Sequence, residues 1–121
     1  MGFINLKKCE SVSPLPGIRL KAPFGERIML SHLEMDAGAE VPRHCHPHEQ
    51  AGVLLVGRLQ LTIGAETRTL NPGDVYLVPG GVEHSAVAVD GPVKVLDIFS
   101  PIREDYARPS NNALVPAGKG G

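Results

Sequence analysis

The chain is 121 residues long, carries a formal net charge of −1 and contains two cysteines, three Phe, two Tyr and no Trp. That length suits a single domain, 1–121, with a core large enough to need no disulfide staples. The near-neutral charge, spread without a Lys/Arg-rich run, argues against a nucleic-acid surface, and no apolar stretch is long enough to cross a bilayer as a helix.

The 14 Gly and 11 Pro fall between short apolar runs, which is the punctuation of an all-β protein. Residues 1–8 show no basic segment followed by an apolar stretch, so no secretory leader is expected. Residues 18–21 predict a short strand. Residues 27–35 predict a longer one, ended by Asp36-Ala37-Gly38-Ala39, and a histidine-rich segment follows. Residues 51–56 are apolar throughout. Gly57-Arg58 is expected to turn that strand into 59–63, and Gly64-Ala65 to turn the chain again into 67–70. Asn71-Pro72-Gly73-Asp74 puts Pro and Gly where a turn needs a fixed or a positive φ. Residues 75–78 predict a strand stopped by Pro79-Gly80-Gly81. Residues 84–89 follow, and Asp90-Gly91-Pro92 is expected to turn them into 93–99, ended by Ser100-Pro101. Residues 102–107 allow one helical turn or another short strand. The end, 107–121, is expected to be a partly loose tail. No segment keeps a 3.6-residue apolar period, and strands this short and regular suggest a closed barrel or sandwich with an aliphatic core.

Three histidines stand within five residues, His44, His46 and His48, and Gln50 closes the run. On a strand, His44 and His46 project to the same face. Two imidazoles one strand repeat apart suit a transition-metal ion, and His84 would complete the site if a closed sheet brings it opposite. Pro47 interrupts the strand, which puts His48 at the rim or behind the ligands, while Glu49 should point outward. Strand alternation turns Cys45 away from its histidine neighbours as a half-buried thiol. Two cysteines that match neither a disulfide framework nor a zinc knuckle make the cytoplasm the expected location. His32, mid-strand among apolar residues, is expected to be packed or pocket-lining, and is a weak candidate for substrate contact.

The spacing reads G-x5-H-x-H-x3-Q-x6-G from Gly38 to Gly57, then G-x5-P-x-G-x2-H from Gly73 to His84. This layout resembles the two signature motifs of the cupin superfamily and covers about two-fifths of the chain. The resemblance implies a single-domain jelly-roll barrel, the double-stranded β-helix. It also implies that His44, His46, Gln50 and His84 hold one divalent transition metal: Zn, Ni, Mn, Fe or Co. Gln50 stands where the family usually has Glu. A neutral amide leaves the ion its full charge, which favours Lewis acidity over a stable oxidised state. Ala88 stands where the second motif sometimes ends in Asn. Small cupins are often homodimers, and the resemblance assigns that pairing to the N-terminal 1–25, with its apolar pieces Phe3-Ile4-Asn5-Leu6 and 12–20.

The run His-Cys-His-Pro-His-Glu-Gln, with Gln in the ligand slot, and the run Asp97-Ile98-Phe99-Ser100-Pro101-Ile102-Arg103-Glu104-Asp105-Tyr106 are similar to those of the KdgF-type cupins of pectin and alginate breakdown. What this likeness implies is an isomerase. It would turn cyclic 4,5-unsaturated monouronates, the products of lyases, into linear keto forms. Asp97 and Phe99 share one face of the last strand. If that face is inward, Asp97 sets a general acid/base beside a Lewis acid, Arg103 offers a rigid fork to a substrate carboxylate, and Phe99 shapes the pocket. Other placements are open: Asp97 outward against Lys94, Phe99 as plain core, Arg103 and Glu104 on a solvated turn. Two competing functions stand beside this one. One is a metal-dependent oxygenase, or an isomerase acting on another small polar substrate. The other is a non-catalytic ligand-binding or sensor cupin.

Overall fold

The computed structural model describes residues 2–108. Eight strands follow in order: β1 (Val12–Leu15), β2 (Ile18–Lys21), β3 (Met29–Met35), β4 (Glu40–His44), β5 (Glu49–Ile63), β6 (Glu66–Leu70), β7 (Val75–Val78) and β8 (His84–Ser100). A short 3-10 turn, Leu6–Lys8, precedes them and is capped by the Asn5 side chain. All pairings are antiparallel, in the order β1-β2-β3-β8-β5-β6, with β4 added to β8 and β7 to β5.

β5 and β8 organise everything else. They run side by side from Glu49↔Ser100 to Ile63↔His84, and their register slips between Leu54 and Leu59. There the pair bends, so that each strand serves two layers. The first layer holds β1, β2, β3 and β7 with one half of the pair, and the second holds β4 and β6 with the other half. The aliphatic core fills the space between, with Ile18, Met35, Leu54 and Val95 from one layer and Leu59, Leu61, Leu70 and Ala88 from the other. Each of these side chains larger than Ala88 contributes about 1.5–3 kcal/mol by leaving water.

This corrects two sequence expectations. Gly57-Arg58 and Asp90-Gly91-Pro92 are not hairpin turns but irregularities inside long strands, and they face each other across the β5–β8 pair. Gly57 has φ +87°, and a Cβ there would meet the Pro92 carbonyl oxygen at 2.3 Å. A bulge of this kind bends the strand and increases its twist, which is what folds one ladder into two layers. The local signal of a bulge matches that of a turn, because both need glycine at positive φ.

Elsewhere the expectations meet the structure closely. β2 and β7 have the predicted bounds, β3 starts two residues late, and Gly64-Ala65 makes the two-residue connection between Ile63 and Glu66. Residues 102–107 form one helical turn, with Tyr106 N–H and Ala107 N–H both donating to the Arg103 carbonyl at 3.0 Å. The N-terminal piece 12–20 pairs with itself as the β1–β2 hairpin. Of the expected loose tail, Arg108 Nε lies 3.7 Å from Glu10 Oε2, and residues 109–121 lie outside the described range.

Candidate metal centre

The β4–β8 pairing sets His44 directly opposite His84. His46 reaches the same point by another route. β4 ends at His44, so His46 sits in an irregular loop rather than one strand repeat along. Pro47, which lacks an N–H, lies within that loop and cannot extend the ladder. The loop is held from behind: Gly81 N–H donates to the His46 carbonyl at 2.8 Å, and Gly80 packs so tightly that a Cβ would lie 2.4 Å from the Pro47 carbonyl oxygen. The second motif therefore supplies His84 and also clamps the loop of the first.

The three rings converge. Their centroids lie 4.2 Å apart for His44–His84, 4.8 Å for His46–His84 and 5.6 Å for His44–His46. Ligand atoms of all three fall within 4.8 Å of one another. Each Nδ1 bonds a backbone carbonyl: His44 to Pro42 at 2.9 Å, His46 to His48 at 3.1 Å, His84 to Val82 at 2.9 Å. A carbonyl only accepts, so each Nδ1 carries the proton and each Nε2 keeps its lone pair. Burial holds His84 below the ordinary imidazole value. Burial, with Arg103 and His84 adding to it, lowers His46 to about 4. Neutral rings with inward lone pairs are what a cation requires.

Two further observations fit a cation here. His84 Nε2 is buried and has no hydrogen-bond partner. His46 Nε2 lies 3.1 Å from Gln50 Oε1. With Nδ1 protonated, that contact sets lone pair against lone pair, which a shared positive ion resolves. The amide's orientation is fixed from its other end, where Gln50 Nε2 donates to Asp97 Oδ1 at 3.1 Å. The cluster of His44, His46 and His84 is thus able to hold one metal ion.

Residues 31–99 match the family model described as Cupin domain (Cupin_2). The chain is a cupin. Among solved structures it is similar to KdgF from Halomonas sp., at 30% identity and a TM-score of 0.82, over 88% of this chain and 99% of that one. It is also similar to an RmlC-like cupin from Shewanella frigidimarina, at 28% identity and a TM-score of 0.81, over 87% and 95%. Among curated proteins it is 28% identical to the pectin degradation protein KdgF of Dickeya dadantii, over 74% of this chain and 84% of that protein. An uncharacterised Streptomyces coelicolor protein is 33% identical over 67 residues, and the match spans 64% of that protein's length. These relationships make the chain a small KdgF-like cupin.

Beside its histidine cluster this cupin has a cavity of about 70 Å³, with His44, Gln50, His84 and Asp97 among its polar lining and Leu59, Leu61 and Val95 among its apolar lining. Asp97 is inward and buried, not paired with Lys94, and it accepts from Gln50 and from the Tyr76 hydroxyl at 2.5 Å, both on Oδ1. Burial raises its carboxyl to about 6, against the opposing pull of Tyr76, Gln50 and Arg103. Phe99 is buried with its ring 5.7 Å from that of His46. Arg103 is not a solvated residue. Its side chain is 13% exposed, and its guanidinium stacks 4.1 Å from the Tyr106 ring centroid and 5.1 Å from that of Phe99. Asp105 already grips the fork, with Nε to Oδ1 at 3.2 Å and Nη2 to Oδ2 at 2.8 Å.

The remaining histidines and cysteines stand outside the cavity. His48 packs its ring behind His46 at 5.4 Å, and Glu49 is exposed. His32 is on the outer face of β3, in a groove with Lys7 and Lys21, because alternation there turns Ser31 and Leu33 inward instead. It lines that groove, as expected, and is not among the residues lining the cavity beside the histidine cluster. Cys45 is exposed rather than half-buried, since it lies in the loop and not on a strand. Tyr76 and Gly52 are among the important residues that escaped sequence reasoning. Tyr76 reaches Asp97 across β5, and this is possible only because residue 52 is glycine: a Cβ there would meet Tyr76 Cζ at 2.2 Å and Asp97 Oδ1 at 2.6 Å. An isolated glycine within the apolar run 51–56 was the available signal.

Proposed function

We propose that this cupin converts cyclic 4,5-unsaturated monouronates to their linear keto forms, with His44, His46, Gln50 and His84 holding one divalent transition metal. The observation that carries the reading is a buried carboxyl, Asp97, joined through Gln50 to the histidine cluster and lining the same cavity. A bound divalent ion would supply Lewis acidity to substrate oxygens at this end of the cavity.

The chemistry moves one proton and needs no oxidant. As the C1–O5 bond breaks, the anomeric hydroxyl gives up its proton to Asp97, C1 becomes an aldehyde, and the electron pair passes to O5 as an enolate across C5 and C4. Asp97 then returns the proton at C4, which leaves a ketone at C5. One carboxyl group within reach of both positions suffices. Arg103 supplies positive charge for the C6 carboxylate, and its stacking between Phe99 and Tyr106 keeps that charge in place. Phe99 shields the reacting end from water. The likeness to KdgF proteins over nearly their whole length supports the substrate class.

Incubating the metal-loaded protein with a 4,5-unsaturated uronate tests this. The ultraviolet absorbance of the conjugated acid should fall faster than it does spontaneously, and an unchanged rate removes the assignment. Asp97→Ala should keep its metal and lose turnover.

A homodimer belongs to the same proposal. Among the described residues β1 ends the strand order, and an end strand offers its outer edge to a second copy. Light scattering should give the mass of two chains. An exposed Cys45 thiol is in keeping with a reducing cytoplasm.

A further inference from the structure

One wall of the cavity has no part in the mechanism above. Ser31 on β3 is the direct register partner of Asp97 on β8. Partners in an antiparallel pair stand side by side on one face, so the serine hydroxyl is next to the carboxyl inside the barrel. Ser31 is 1% exposed and lines the cavity, and its Oγ has no hydrogen-bond partner. The other inward residues of β3 are Met29, Leu33 and Met35, an apolar row in which a hydroxyl is out of keeping. Burying a hydroxyl without a partner is unfavourable, and alanine would serve the fold at least as well. Asp97 does not satisfy it: Ser31 Oγ has no hydrogen-bond partner despite that register, and Asp97 Oδ1 instead accepts from Gln50 and Tyr76.

The geometry points to Ser31 as a substrate-contacting residue: a hydroxyl subsite beside Asp97 that binds a hydroxyl or ring oxygen of a polyhydroxylated substrate. The choice of a uronate as that substrate rests on the function proposed above, whereas the contact itself rests on the unpartnered hydroxyl. A serine hydroxyl both donates and accepts, which matches a sugar hydroxyl, whereas a carboxylate is better served by the Arg103 cation. Held there, the sugar ring would be fixed at a second point besides the histidine end of the cavity, with its anomeric hydroxyl kept against Asp97.

Ser31→Ala in the metal-loaded protein tests the inference by two readouts. Without substrate, the thermal midpoint should stay the same or rise, because the fold loses only an unsatisfied polar group. With a 4,5-unsaturated uronate, kcat/KM should fall about tenfold. A lower midpoint would show that the hydroxyl holds the fold together and would overturn the inference, as would an unchanged kcat/KM. If the wild-type protein fails to turn over the uronate, the proposed function falls separately. The midpoint then decides alone: a drop overturns the subsite, and an equal or higher value supports a hydroxyl kept for a ligand.

Discussion

Each of the three site histidines bonds a carbonyl only two residues away in the chain, so its ring orientation is encoded locally. The residue types and spacing were therefore legible in the sequence for His44, His46, Gln50 and His84. Tyr76, Gly52 and Ser31 were not, because their meaning lies in neighbours supplied by other strands. Gln50 does two things that glutamate cannot combine. Its oxygen faces His46 and its amide donates to Asp97. Gln50→Glu would set two carboxyl groups side by side. We expect tighter metal binding, by competition with a chelator, and at least about tenfold lower turnover from the lost donor. Gly52→Ala should be harsher than an exposed Gly→Ala exchange. Its Cβ displaces Tyr76 from Asp97, with an expected loss of about 1–3 kcal/mol in urea unfolding together with turnover.

At the level of the element, the strand pattern was readable but the path of the chain was not. Alternation gave β2 and β7 their bounds, while Gly57 and Gly91 looked like hairpin turns and proved to lie at bends within β5 and β8. Only the long-range pairing of those two strands separates the cases. Gly57→Ala adds both the cost of a positive φ and a contact with the Pro92 carbonyl. A loss of about 2 kcal/mol or more is expected, seen as a lower urea midpoint with an unchanged slope. The outer face of β3 carries a pH effect. Burial holds His32 below the ordinary imidazole value of 6.5. The unfolded chain then binds more protons than the folded one as pH falls below that value. The stability His32 contributes is whole above pH 6.5 and is lost as pH drops through its lower folded value. In the apoprotein His46 and His84 act in the same direction. His32→Gln should flatten part, not all, of the fall in urea midpoint between about pH 7 and pH 5.

Across the whole molecule, one bent pair of strands carries the site. β8 supplies His84 at its start and Asp97 and Phe99 near its end, and β5 supplies Gln50 between them. Because the proposed ligands come from β4, β5, β8 and a loop, a bound ion would cross-link both layers of the fold. Chelation should therefore lower the thermal midpoint as well as stop turnover. An oxygenase would consume oxygen during turnover, and an oxygen electrode should read no uptake here. The most direct measurement is the metal content per chain, by elemental analysis after loading and desalting, of the wild-type protein and of His84→Ala. One ion per wild-type chain and essentially none in the variant is the result expected from three converging neutral imidazoles. A wild-type chain that retains no ion, or a variant that retains a full one, would contradict it.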